Sequence, residues 1–175
     1  AVDEAVRYAD ERGVLMVHAA GNDGANIDST DSYPSRIYAG GDSARHWIEV
    51  GASSWQGGDA LAAPFSNYGK RTVDVFAPGV AIYSTAPDQR YDSADGTSMA
   101  APVASGLAAL IMAYHPNLTA AEVREIILDS AVAYPEQEVA TPGRPNLRVS
   151  FAALSATGAI VNAYRALQAA RAASR

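Results

Sequence analysis

Residues 95–106 read DGTSMAAPVASG, and the run continues as LAALIMAY to Tyr114. From Gly96 to Tyr114 there is no charged side chain, a span of 19 residues. Length alone would let such a segment cross a bilayer. Its composition argues otherwise: Thr97, Ser98, Pro102, Ser105 and Gly106 interrupt it, and much of the rest is alanine. A helix apolar on every side fits the buried centre of a layered domain, and no membrane is expected as a partner. Ser98 stands at the head of this helix. There the first backbone N–H groups have no intrahelical acceptor, and the macrodipole favours negative charge. A serine so placed is either a nucleophile, whose oxyanion those N–H groups would receive, or simply the helix N-cap. Gly96, Ala100 and Ala101 leave room for a chain to approach, and Pro102 cannot donate to the Ser98 carbonyl.

The neighbouring segments supply the layers around that helix. AVDEAVRYADERG opens the chain with Val2, Ala5, Val6 and Ala9 on one helical face and Gly13 as the stop. VLMVHAAG, residues 14–21, is a continuous apolar run ending in glycine, as in a buried parallel strand. A polar loop, GNDGANIDSTDSYPS, precedes a short strand at Trp47 to Val50. VDVFAPGVAIYSTAP reads as two strands joined at Pro78-Gly79, with Gly79 expected at φ > 0 in a type II turn. Thr119-Ala120-Ala121-Glu122 is a capping box opening a helix to about Ser130 that buries Val123, Ile126 and Ile127. This outweighs reading Asn117-Leu118-Thr119 as a glycosylation sequon. YPEQEVATPGRPN is expected as a loop, and the last helix is expected from about Gly158, with Ile160, Val161, Tyr164 and Leu167 on one side. Strand–helix alternation with apolar strands predicts an α/β domain with a mostly parallel sheet.

Composition narrows the classes of function. With 19 acidic and 13 basic residues the net charge is −6, and no basic run is present, so no nucleic-acid partner is expected. The chain has no cysteine, which excludes disulfides and thiolate-bound zinc. Residue 1 lies inside the first helical pattern with no cap before it. The chain is therefore expected to be one partial domain, residues 1–175, cut from a longer polypeptide.

Four segments carry a resemblance. GTSMAAPVASG (96–106), HAAGNDG (18–24), VDVFAPGVAIYST (73–85) and GAIVNAYRAL (158–167) resemble, in order and spacing, segments of the subtilisin-like serine peptidases, or subtilases. The resemblance implies a three-layer subtilisin-like fold with the N-terminal part of the domain missing. It implies Ser98 as nucleophile and the Asn22 side chain as oxyanion donor, beside the backbone N–H of Ser98. On its own residues, Asn22 reads first as a turn residue in GNDG. Ala19, Ala20 and Gly21 match one wall of the substrate pocket, and Tyr33-Pro34 matches a site of cis peptide bonds in some members. The implied substrate is a polypeptide, and the implied location is secreted or periplasmic. No cofactor is required. Calcium in surface loops is compatible with the family, but no ligand set is placed, since Asp23, Asp28 and Asp31 read equally as solvated carboxylates or Asx turns.

One element of the chemistry is missing. In this family the order is Asp, His, Ser, and both partners precede the oxyanion Asn. Here Asn22 stands near the start, so the triad Asp and His are expected upstream of residue 1. Among local histidines, His18 reads as a sheet residue, His46 as a surface residue and His115 as a helix C-terminal residue. A rewired triad, for example, would join Ser98 to His18 and Asp74. Loss of the His or Ser of such a triad lowers turnover by about 10⁶-fold, a value that comes from this family itself. The chain alone is therefore expected to be inactive and to self-associate through the face its missing part would cover. A competing reading is a non-catalytic interaction module that retained the fold.

Overall fold

The apolar runs assemble into one sheet in the computed structural model, which describes residues 2–30 and 32–174. In chain order the elements are α1 (Val2–Glu11), β1 (Met16–Ala19), β2 (Trp47–Ser53), β3 (Val75–Pro78), β4 (Ile82–Ala86), β5 (Arg90–Ala94), α2 (Thr97–Tyr114), α3 (Ala120–Asp129), β6 (Val132–Ala133), β7 (Glu138–Thr141), β8 (Arg144–Ser150), β9 (Ala159–Ile160) and α4 (Ala163–Ala173). The central sheet has the order β1-β2-β3-β9-β6. Its first four strands are mutually parallel, and β6 runs antiparallel to β9.

Alternation along β2 and β3 divides the core into two faces. Ile48, Val50, Ala52, Val75 and Ala77 point to the side covered by α2, α3 and α4, where they meet Ala100, Ala104, Leu107 and Ile111. Phe76 points to the other side and packs on Phe151, with ring centroids 4.9 Å apart. Trp47, on that same side, packs with Val6 of α1 and Met16. Helices thus sit on one face, and α1, a short 3₁₀ turn (Phe151–Ala153) and the β7–β8 hairpin flank the other.

Several elements depart from the sequence-based expectations. β1 is only half-buried, because it is an edge strand of this sheet. The central helix buries one side only: Val103, Leu110 and Tyr114 are exposed, the last by 72%. Gly79 does not take φ > 0; Ala81 does, at 55°, with its N–H bonded to Asp95 Oδ1 at 2.6 Å. Glycine is needed at 79 for proximity, since a Cβ there would lie 2.7 Å from Ala52 Cβ and 2.8 Å from the Gly96 carbonyl. The segment 138–150 is a hairpin rather than a loop, turning at Pro142-Gly143 with Gly143 at φ 71°. Ile160 lies in β9, so α4 begins later, at Ala163, capped by Asn162, whose side chain accepts the Arg165 N–H at 2.9 Å. The capping box of α3 is formed as expected, with Val123 and Ile127 fully buried and Ile126 partly so.

Candidate active site

The end of β1 and the start of α2 meet above the sheet. The chain leaves β1 through Gly21, at φ 101°, where any side chain would collide with the Asn67 amide. Asn67 is buried and fixes this turn three ways. Its Oδ1 accepts from the N–H groups of Asp23 (3.0 Å) and Ala25 (2.9 Å), and its Nδ2 donates to the Ala20 carbonyl (2.8 Å). Satisfying a buried amide this fully gives the turn one conformation. Neither Asn67 nor its role was visible in FSNYG, which reads as a polar loop.

Asn22 projects from that turn onto the head of α2. Its Oδ1 accepts from both the backbone N–H and the hydroxyl of Thr97, each at 2.9 Å. Thr97 Oγ1 in turn accepts the Gly21 N–H at 3.1 Å. Thr97 is 1% exposed, so this clamp is fixed from below. With Oδ1 occupied, the NH₂ group of the exposed Asn22 side chain keeps its donors, with no acceptor among the described residues. A Cβ placed on Gly96 would lie 3.5 Å from both Asn22 Nδ2 and the Ser98 backbone N. The Asn22 amide nitrogen and the Ser98 backbone nitrogen thus border the same point beside Gly96, with Met99 Sδ also 3.5 Å from it.

Ser98 is not the N-cap. That position is Gly96, with φ 155° and ψ 159° and no side-chain cap, so Ser98 is the second helical residue and is exposed. Among the described residues nothing hydrogen-bonds to the Ser98 hydroxyl. Ala19, Ala20 and Gly21 line a pocket of about 480 Å³ together with His18, Ser32 and Tyr33. The Tyr33–Pro34 bond is cis.

The histidines are committed elsewhere. His18 Nδ1 lies 2.8 Å from Glu49 Oε1, and Glu49 Oε2 accepts from Trp47 Nε1 at 2.8 Å. His46 is not a surface residue as expected; it is partly buried, with Nδ1 2.9 Å from Asp10 Oδ1 of α1. His115, at the end of α2, pairs with the Ser174 hydroxyl at 2.8 Å. The rewired triad is overturned from its acid side too. Asp74 is buried under β3, where Oδ1 accepts from Arg36 (2.9 Å) and Arg124 (2.8 Å) and Oδ2 accepts the Glu49 N–H (2.8 Å). It ties β2, β3 and α3 together and makes no hydrogen bond with His18.

The acidic loop has a structural employment as well. Asp28 accepts from the backbone N–H groups of Arg71 and Thr72 and from the Thr72 hydroxyl, closing the loop over the segment before β3. Among the described residues no three His, Asp or Glu side chains converge in a way that would hold a metal; Asp31 lies outside those residues.

A family model described as the subtilase family, Peptidase_S8, matches residues 1–159. The chain belongs to the subtilase family. Subtilisin DY of Bacillus licheniformis is 39% identical over 132 residues, covering 75% of this chain and 44% of that protein. Subtilisin J of Geobacillus stearothermophilus is 40% identical over 134 residues, covering 76% of this chain and 31% of its own length. This subtilase chain thus spans less than half of these curated relatives. Among solved structures, subtilase cytotoxin SubAB superposes with a TM-score of 0.77 at 25% identity, over 99% of this chain and 54% of that one. The A-subunit of the AB5 toxin from E. coli gives 0.75 at 25% identity, over 96% and 54%. The mostly parallel α/β sheet described above is the subtilase fold.

Proposed function

We propose that residues 1–175 are the serine-bearing C-terminal part of a subtilase catalytic domain whose complete form is a serine endopeptidase acting on polypeptides. Ser98 Oγ passes its proton to the base and attacks the peptide carbonyl; the C–N bond then breaks, the amine leaves with that proton, and water later hydrolyses the acyl-enzyme. The oxyanion settles in the space beside Gly96, between Asn22 Nδ2 and the Ser98 N–H. Ala19, Ala20 and Gly21 form one wall for the substrate residue before the scissile bond. The general base and the carboxylate that orients it are supplied by chain outside residues 1–175. That chain meets the open edge of β1 and the exposed side of α2, and in its absence those surfaces drive self-association.

The observation that carries this reading is the accounting of imidazoles. All three histidines have partners of their own, and none hydrogen-bonds to the Ser98 hydroxyl. Without a base at hydrogen-bond reach, serine is a weak nucleophile. A serine-directed fluorophosphonate probe tests it. Residues 1–175 alone should remain unlabelled, and the same chain with the upstream part of the domain should label at Ser98. Labelling of the isolated chain would overturn the missing base; an unlabelled complete domain would make this a non-catalytic module.

A further inference from the structure

We infer that the carbonyls of Ala152, Ser155 and Ala156 form a cation site, which the Lys70 ammonium fills from within the chain and which accepts a monovalent alkali cation when that ammonium is removed. Lys70 Nζ donates to Ala152 O at 3.0 Å, Ser155 O at 3.1 Å and Ala156 O at 3.1 Å. An ammonium has three N–H groups, so its donors are saturated by backbone alone. Among the described residues no carboxylate pairs with it. Three neutral carbonyl oxygens around one positive centre supply part of the shell a potassium-like ion takes, with water completing it at this exposed position. A divalent ion is held best where carboxylates offset its charge, and this cradle has none.

The cradle is built where carbonyls are in surplus. The 3₁₀ turn at 151–153 ends there, and the last carbonyls of such a turn have no partner of their own. The segment then crosses the loop before β3. Gly69 N–H bonds to Leu154 O at 2.9 Å and Ala156 N–H to Val73 O at 2.7 Å. Ser155 is fully buried, and Gly158, at φ 60°, sits against Ala152 where a side chain would not fit. From there the chain enters β9, which pairs with β3 at Phe76. A cation at this crossing holds β9 in register and so fixes the far half of the sheet.

The test is thermal unfolding of the full chain carrying Lys70→Met, which keeps the aliphatic stem and removes the charge. Spectra are followed in potassium, sodium and tetramethylammonium chloride at equal ionic strength. The unsubstituted chain should melt at one temperature in all three salts. K70M in tetramethylammonium should melt about 3–6 °C lower, the loss expected for charge-assisted hydrogen bonds in a chain of this size. Potassium should restore a large part of that loss, because it fits the cradle and tetramethylammonium does not. If K70M does not fold, Lys70→Gln, which keeps the reach and a neutral amide, is measured in the same salts. Equal melting of the variant in all three salts, or no loss at all, overturns the inference.

Discussion

Thr97→Val is the substitution that interrogates the candidate site most directly. Valine keeps the shape of threonine and removes the hydroxyl. Two bonds are lost: the donation to Asn22 Oδ1 at 2.9 Å and the acceptance from Gly21 N–H at 3.1 Å. The second leaves an N–H without a partner in a half-buried turn, at a cost of about 1 kcal/mol in stability. The first leaves the Asn22 amide held by the Thr97 backbone N–H alone. Outright deletion of one oxyanion donor lowers kcat by about 10²–10³-fold, a range taken from subtilisin itself rather than worked from this chain. Removing one of two orienting bonds is a smaller loss. One neutral hydrogen bond, about 1 kcal/mol, corresponds to roughly fivefold in kcat. The assay is steady-state hydrolysis of a chromogenic peptide by the complete domain, with Thr97→Val, Asn22→Ala and the double variant compared. Thr97 positions Asn22, so T97V should lower kcat about fivefold in the native background but by less than about twofold when Asn22 is already alanine. The same factor in both backgrounds would refute the clamp, and so would an unchanged kcat beside a lowered melting temperature.

Other outcomes follow from the packing and the charges. Asp74→Asn should destabilise the chain by about 3 kcal/mol, the lower end for breaking a buried ion pair. That end applies because the side chains of Arg36 and Arg124 are each 23% exposed; urea unfolding measures it. Gly51→Ala should cost about 1–3 kcal/mol by overpacking, since a Cβ there would meet the Phe76 ring at 2.7 Å and that ring is fully buried. The capping box gives a pH dependence. Bonds from the Thr119 backbone N–H, and then from its hydroxyl, hold the Glu122 carboxyl below its ordinary 4.5. A lowered folded-state value stabilises above the unfolded value, and the stabilisation disappears as pH falls through the folded one. The melting-temperature advantage of the native chain over Glu122→Gln should therefore be full at neutral pH and vanish in acid, below the ordinary glutamate range.

What the sequence reveals, and what it hides, divides along local and non-local physics. Strands β1 to β4, the capping box and the head of the central helix were legible because apolar runs, Thr-x-x-Glu and a glycine before a charge-free segment act within a few residues. Residues 138–150 hid a hairpin because Pro142-Gly143, a turn signal, sits among charged residues whose partner strand is the only reason they are extended. Gly79 was legible as a special position but for the wrong cause, since its constraint comes from Ala52 and Gly96, not from its own dihedral angles. Around the site, Asn22 and Ser98 stand in recognisable motifs, whereas Thr97 and Asn67 act across 75 and 47 positions of sequence, on Asn22 and on the Ala20 carbonyl.

The half-exposed central helix is the instructive case. Its lack of charge predicts burial on all sides, yet this chain covers only the part facing the sheet and its neighbours α3 and α4. Uncharged residues at Val103, Leu110 and Tyr114 make little sense against water, where a charged face would cost nothing. They make sense as an interface, and β1 offers an unpaired parallel edge beside them. The same chain places an aimed amide and a serine hydroxyl at the end of that edge, with every imidazole already bonded elsewhere. Uncovered apolar surface and unanswered chemistry thus fall on one side of the molecule. One polypeptide segment that covered α2, paired with β1 and carried a histidine would supply both.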